Sequence, residues 1–63
     1  MKETKKHIIL NTYINGAEYD FPKSFIKTQE RLEHWINHMK GKMWFTKAQE
    51  RFIRDVYQRE FSK

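Results

Sequence analysis

Two rows of cations have a spacing that suits contact with a polyanion. Lys27, Arg31, His34, His38 and Lys42 recur at +4, +7, +11 and +15, which on a helix forms one edge. Lys47, Arg51, Arg54 and Gln58 recur at +4, +7 and +11 on a second segment. Charges one helical turn apart can follow phosphates and release their counterions. Lys27, Arg31, Lys42, Lys47, Arg51 and Arg54 are therefore the candidate nucleic-acid-binding residues, with DNA ahead of RNA. Arg51 and Gln58 could also reach base edges if the second helix entered a major groove. An ordinary solvated helix face is the competing account, since Glu50 with Arg54 and Asp55 with Arg59 are spaced as i,i+4 ion pairs.

Aromatic residues offer a second chemistry. Trp44 and Phe45 are adjacent, between Lys42 and Lys47, and two neighbouring aromatics at a helix entrance do not easily bury together. An exposed Trp44 would stack on a base or anchor in a partner's pocket. Tyr13, on the outer side of a strand, is the other candidate partner-binding residue. The competing account has both Trp44 and Phe45 closing the end of a small core.

Catalytic and metal chemistry find little support. Glu30, His34 and His38 stand at i, i+4 and i+8, but the metalloprotease helix pattern is absent and the histidines read as surface residues. The chain has no cysteine, no glycine-rich phosphate loop and no G-x-S-x-G elbow, and its two glycines both fall in turns. The expectation is a non-enzymatic protein with no catalytic residues, metal or cofactor.

The elements that position these residues follow from local signals. Asn15-Gly16 separates two β-prone runs and predicts a type I′ hairpin over residues 7–21. A two-residue loop would oppose Ile14 to Ala17, Thr12 to Tyr19 and Leu10 to Phe21, placing these and Ile8 on one face. Residues 1–6 have no apolar anchor and are expected to fray. Phe25, Thr28, Leu32, Trp35, Ile36 and Met39 form one stripe of a helix over 24–40, capped by Asp20 or Ser24 and stopped by Gly41. Thr46 with Gln49 makes a capping-box pattern for a helix over 46–61, whose apolar side holds Ala48, Phe52, Ile53, Val56 and Tyr57. The short connection predicts antiparallel helices. The fold class is thus α+β, a two-stranded antiparallel hairpin followed by two antiparallel helices (ββαα), in a single small domain over 1–63.

Composition narrows the classes further. The 63 residues carry a net charge of +5, with residues 1–22 balanced, 23–43 at +3 and 44–63 at +2. That excess favours a polyanionic partner or an acidic protein surface. The absence of cysteine suits a reducing compartment, and the longest apolar run, Ile8-Ile9-Leu10, is too short for a membrane span, so a cytoplasmic protein with no membrane partner is expected. Ten aromatics supplement a small core, and a homodimer is one route to further burial. The functional expectation is a nucleic-acid-binding regulatory or accessory protein. The alternative is a protein-interaction module, an inhibitor or adaptor of the kind phages and mobile elements encode, docking on an acidic host protein.

Overall fold

Asn15 and Gly16 adopt φ of 50° and 71°, the left-handed pair that a type I′ turn requires, and the Ala17 N–H donates to the Ile14 carbonyl at 2.8 Å. This is seen in a computed structural model that describes residues 1–62. The turn forms where its dipeptide predicts, but the ladder beyond it has a different register. Strand β2 (His7–Asn11) pairs with β3 (Glu18–Pro22) through Asn11 with Glu18, Leu10 with Tyr19 and Ile8 with Phe21. Tyr13, also left-handed at φ 60°, lengthens the loop. The Thr12 hydroxyl donates to the Ala17 carbonyl at 2.9 Å, and Asn11 Oδ1 accepts from the Tyr13 N–H at 2.8 Å. The register has moved by two residues. Because side chains alternate with period two, Ile8, Leu10 and Phe21 still share the inner face.

The sheet has three strands, not two. Lys2–Glu3 forms β1, antiparallel to β2, with Lys2 opposite Ile9 and Glu3 opposite Ile8, so the sheet order is β1-β2-β3. The expected fraying of residues 1–6 is corrected by side chains far along the chain. Glu3 accepts from the Lys23 ammonium at 2.8 Å and also pairs with Arg59. The β1–β2 turn is closed by the Thr4 N–H donating to the His7 carbonyl and the His7 N–H donating to the Thr4 hydroxyl.

The helix expected over 24–40 is divided. Lys23–Ile26 is a 3-10 segment, and α1 runs over Gln29–Met39. Thr28 takes the cap expected of Asp20 or Ser24: in extended backbone, its hydroxyl accepts from the Arg31 N–H at 3.2 Å. The break falls at Thr28, whose extended backbone at φ −125° and ψ 162° interrupts the helical run after Lys27. Helix α2 (Lys47–Glu60) starts with the expected capping box between Thr46 and Gln49.

Both helices contribute to the core on the inner face of the sheet. Leu32, Ile36 and Met39 from α1 and Ile53, Val56 and Tyr57 from α2 join Ile8, Leu10, Phe21 and Ile26 in one buried cluster. Ion pairs between Glu33 and Arg54 and between Lys40 and Glu50 show that the helices are antiparallel. The outer face carries Lys2, His7, Ile9, Asn11, Glu18 and Asp20, all exposed except half-buried Ile9, and Lys2 pairs with Glu18 across it at 3.3 Å. No helix among the described residues is long and apolar enough to cross a membrane.

Candidate nucleic-acid interface

Cations separate into those neutralised within the chain and those left free. Lys2, Lys23, Lys40, Arg54 and Arg59 have carboxylate partners within 4 Å. Arg54 is the most fully committed: it grips both oxygens of Glu33 at 2.6 and 3.0 Å and donates through Nε to Glu50 at 3.1 Å. The Glu33 carboxylate raises the guanidinium pKa, and Arg54 in turn holds the Glu33 carboxyl below the usual carboxylate range. Its charge is already balanced by protein.

Lys5, Lys6, Lys27, Arg31, Lys42, Lys47 and Arg51 make no ion pair among the described residues, whereas the unpaired carboxylates are only Asp20, Glu30 and Asp55. Among the described residues, seven free cations against three free anions concentrate the positive charge on a subset of positions. Lys42 stands with its ammonium 5.3 Å from the Tyr19 ring centroid, a cation–π contact that leaves its charge uncompensated.

The free cations other than Lys42 fall into three separate grooves. One, of about 450 Å³, is lined by Lys5, Lys6, His7 and Lys27 around Pro22 and Phe61. Glu60 also faces it, but its carboxylate is held by Lys23 and Arg59. A second groove of about 340 Å³ is formed by Phe25, Glu30, Arg31, His34 and Trp35. Lys47 and Arg51 line a third, beside Glu50 and Arg54 along α2. The two helical rows are thus divided: Lys27 joins lysines of the β1–β2 turn, and Lys47 with Arg51 stays on α2. Lys5 and Lys6 were not among the residues expected to bind, because their segment read as a frayed end. The only signal available was their pairing as adjacent lysines before a strand.

For Trp44 the packing follows the competing account, in which it closes the core with Phe45. It is half-buried against the core, with its ring 5.5 Å from Tyr19 and 6.5 Å from Phe45. Trp44 and Phe45 close the core end together, and Met43 takes the exposed position in that loop. Tyr13 is 67% exposed, as expected, but it stands in the left-handed hairpin loop and not on the outer face of a strand, because β2 ends at Asn11. Phe25, on the 3-10 segment, is 43% exposed although it packs edge-on to Trp35 at 5.0 Å. His38 stacks on Trp35 at 5.0 Å, and among the described residues no three metal-ligating side chains converge.

No protein-family model matches the sequence, and no curated protein or solved structure matches it significantly. The functional reading rests on this chain's own residues.

Proposed function

We propose that this chain is a small non-enzymatic nucleic-acid-binding protein whose phosphate contacts are made by Lys5, Lys6 and Lys27, with Arg31 continuing along α1. The observation that carries the reading is the excess, among the described residues, of seven unpaired cations over three unpaired carboxylates, three of those cations lining one groove. Lysines without protein partners exchange mobile counterions for phosphates and release those counterions on binding. The test is anisotropy of labelled duplex and single-stranded DNA and RNA across a salt series. Replacing Lys5, Lys6 and Lys27 by Gln is expected to reduce the slope of log affinity against log salt by about 2 to 3. Failure of every nucleic acid to bind at low salt overturns the reading.

A second reading has its own support at the hairpin tip. Tyr13 combines a left-handed backbone at φ 60° with an exposed ring, although Asn or Gly would occupy such a position at lower cost. A bulky aromatic kept in such a conformation suits an anchor for an acidic protein partner. Loss of a stoichiometric protein partner on Tyr13→Asn, with nucleic-acid affinity unchanged, would favour this second reading.

A further inference from the structure

The 3-10 segment Lys23–Ile26 and the residue after it form a ridge between two of the grooves: Ser24 and Lys27 line the lysine groove, and Phe25 lines the one it shares with Arg31 and Trp35. Phe25 packs on Phe21, with their rings 6.3 Å apart and nearly parallel, and meets Trp35 edge-on, yet 43% of it remains exposed. Free cations line the two grooves that the ridge separates, Lys27 the lysine groove and Arg31 the notch, and exposed His34 also lines the notch. Glu30 is the single carboxylate in the notch.

From this juxtaposition we propose that the ligand is a single-stranded nucleic acid, with one unpaired base stacked on Phe25 in the notch against Trp35 and the flanking phosphates over Lys27 and Arg31. The inference rests on the nucleic-acid reading above and specifies its substrate. A duplex keeps its base faces stacked on one another, whereas a single strand offers every base face to an aromatic platform, independent of sequence. A notch of about 340 Å³ with an aromatic wall and cationic flanks has the chemistry for one base and its phosphates. Positive charge at Lys27 and Arg31 complements the backbone, and the apolar ring of Phe25 complements the base.

The test compares three labelled ligands of equal length on the wild-type protein by anisotropy: oligothymidine, the same backbone carrying abasic sites throughout, and a duplex. Oligothymidine is expected to bind roughly 10-fold more tightly than the abasic strand, with stacking as the source of the difference. The duplex should bind more weakly than oligothymidine. Phe25→Ala should remove the preference for bases while retaining abasic-strand binding, and Phe25→Tyr should restore it. The ligand-side comparison needs no variant, so it stands even if Phe25→Ala fails to fold. Equal affinity for the abasic strand and oligothymidine, or tighter binding of the duplex, overturns the inference and leaves the nucleic-acid reading intact. No binding of any of the three overturns both.

Discussion

Gln49 Nε2 donates to the Asn11 carbonyl at 2.8 Å across 38 residues of sequence, while Gln49 Oε1 accepts from the Thr46 N–H at 2.8 Å. One fully buried amide therefore caps α2 and fastens its first turn to the end of β2. At the other end of α2, Arg59 and Glu60 meet the Glu3 and Lys23 side chains, so the helix is tied to the sheet at both ends. The helix runs antiparallel to β2, and the apolar side chains between these ties fill the core.

Gln49→Ala leaves the Asn11 carbonyl and the Thr46 N–H without their partners, and is expected to cost about 2–4 kcal/mol. Gln49→Glu preserves the acceptor for Thr46 but sets a carboxylate against the Asn11 carbonyl. It should be at least as damaging at neutral pH and recover in part when acidification lets the carboxyl donate. Urea unfolding of both variants, with the midpoint moving at constant slope, checks this.

Acid should release β1. The Lys23 ammonium, with help from Arg59, holds the Glu3 carboxyl below its ordinary value of 4.5 against the opposing effect of burial. A carboxyl lowered in the folded state stabilises fully above that ordinary value, and the contribution is lost as pH falls through the folded value. Glu33, lowered chiefly by its hydrogen bond from Arg54, has the same sign. Thermal unfolding from neutral to strongly acidic pH should show a loss of Tm setting in near 4.5. Glu3→Gln should start lower at neutral pH and lose less on acidification, and parallel profiles for the two proteins would contradict the assignment.

Arg54 and Arg51 stand three residues apart on α2 but differ in pairing, since Arg54 holds Glu33 and Glu50 and Arg51 makes no ion pair among the described residues. Arg54→Gln is expected to cost about 0.5–1 kcal/mol, a loss that shrinks with added salt, because a partly exposed pair is screened. It should leave the salt slope of nucleic-acid binding unchanged. A double-mutant cycle with Glu33→Gln should return most of that loss as coupling between the two residues. A reduced salt slope in Arg54→Gln would show that phosphate competes successfully for its guanidinium.

The hairpin loop gives a paired prediction. Gly16→Ala places a Cβ at φ +71° in open space, so its cost of about 1 kcal/mol would be purely conformational. Tyr13→Asn moves in the opposite direction, relieving the left-handed backbone at an exposed position, and should stabilise the fold by about 0.5–1 kcal/mol. Differential scanning calorimetry of the two variants tests both signs.

Features whose cause is local could be read directly from the residue order. Asn15-Gly16 specifies its turn through backbone sterics, Thr46 and Gln49 specify a helix start three residues apart, and the alternation of Ile8 and Leu10 marks the buried face of a strand. Even the ladder shift respects that alternation, because the preceding loop absorbs two residues and a shift of two preserves the face. Features whose cause is a partner remote in sequence needed the tertiary structure. Strand β1, besides its ladder to β2, is tied down where Glu3 meets Lys23, 20 residues away, and Arg59, 56 residues away. The same long-range pairing decided which cations remain free, withdrawing Arg54 through Glu33 and leaving Lys5, Lys6 and Lys27 around one groove. Of the candidate site, Lys27 and Arg31 were legible as charge periodicity, whereas Lys5 and Lys6 lie outside the helical rows. The site's full composition was not legible, because a charge is available to a ligand only after the fold has determined which opposite charges lie within reach.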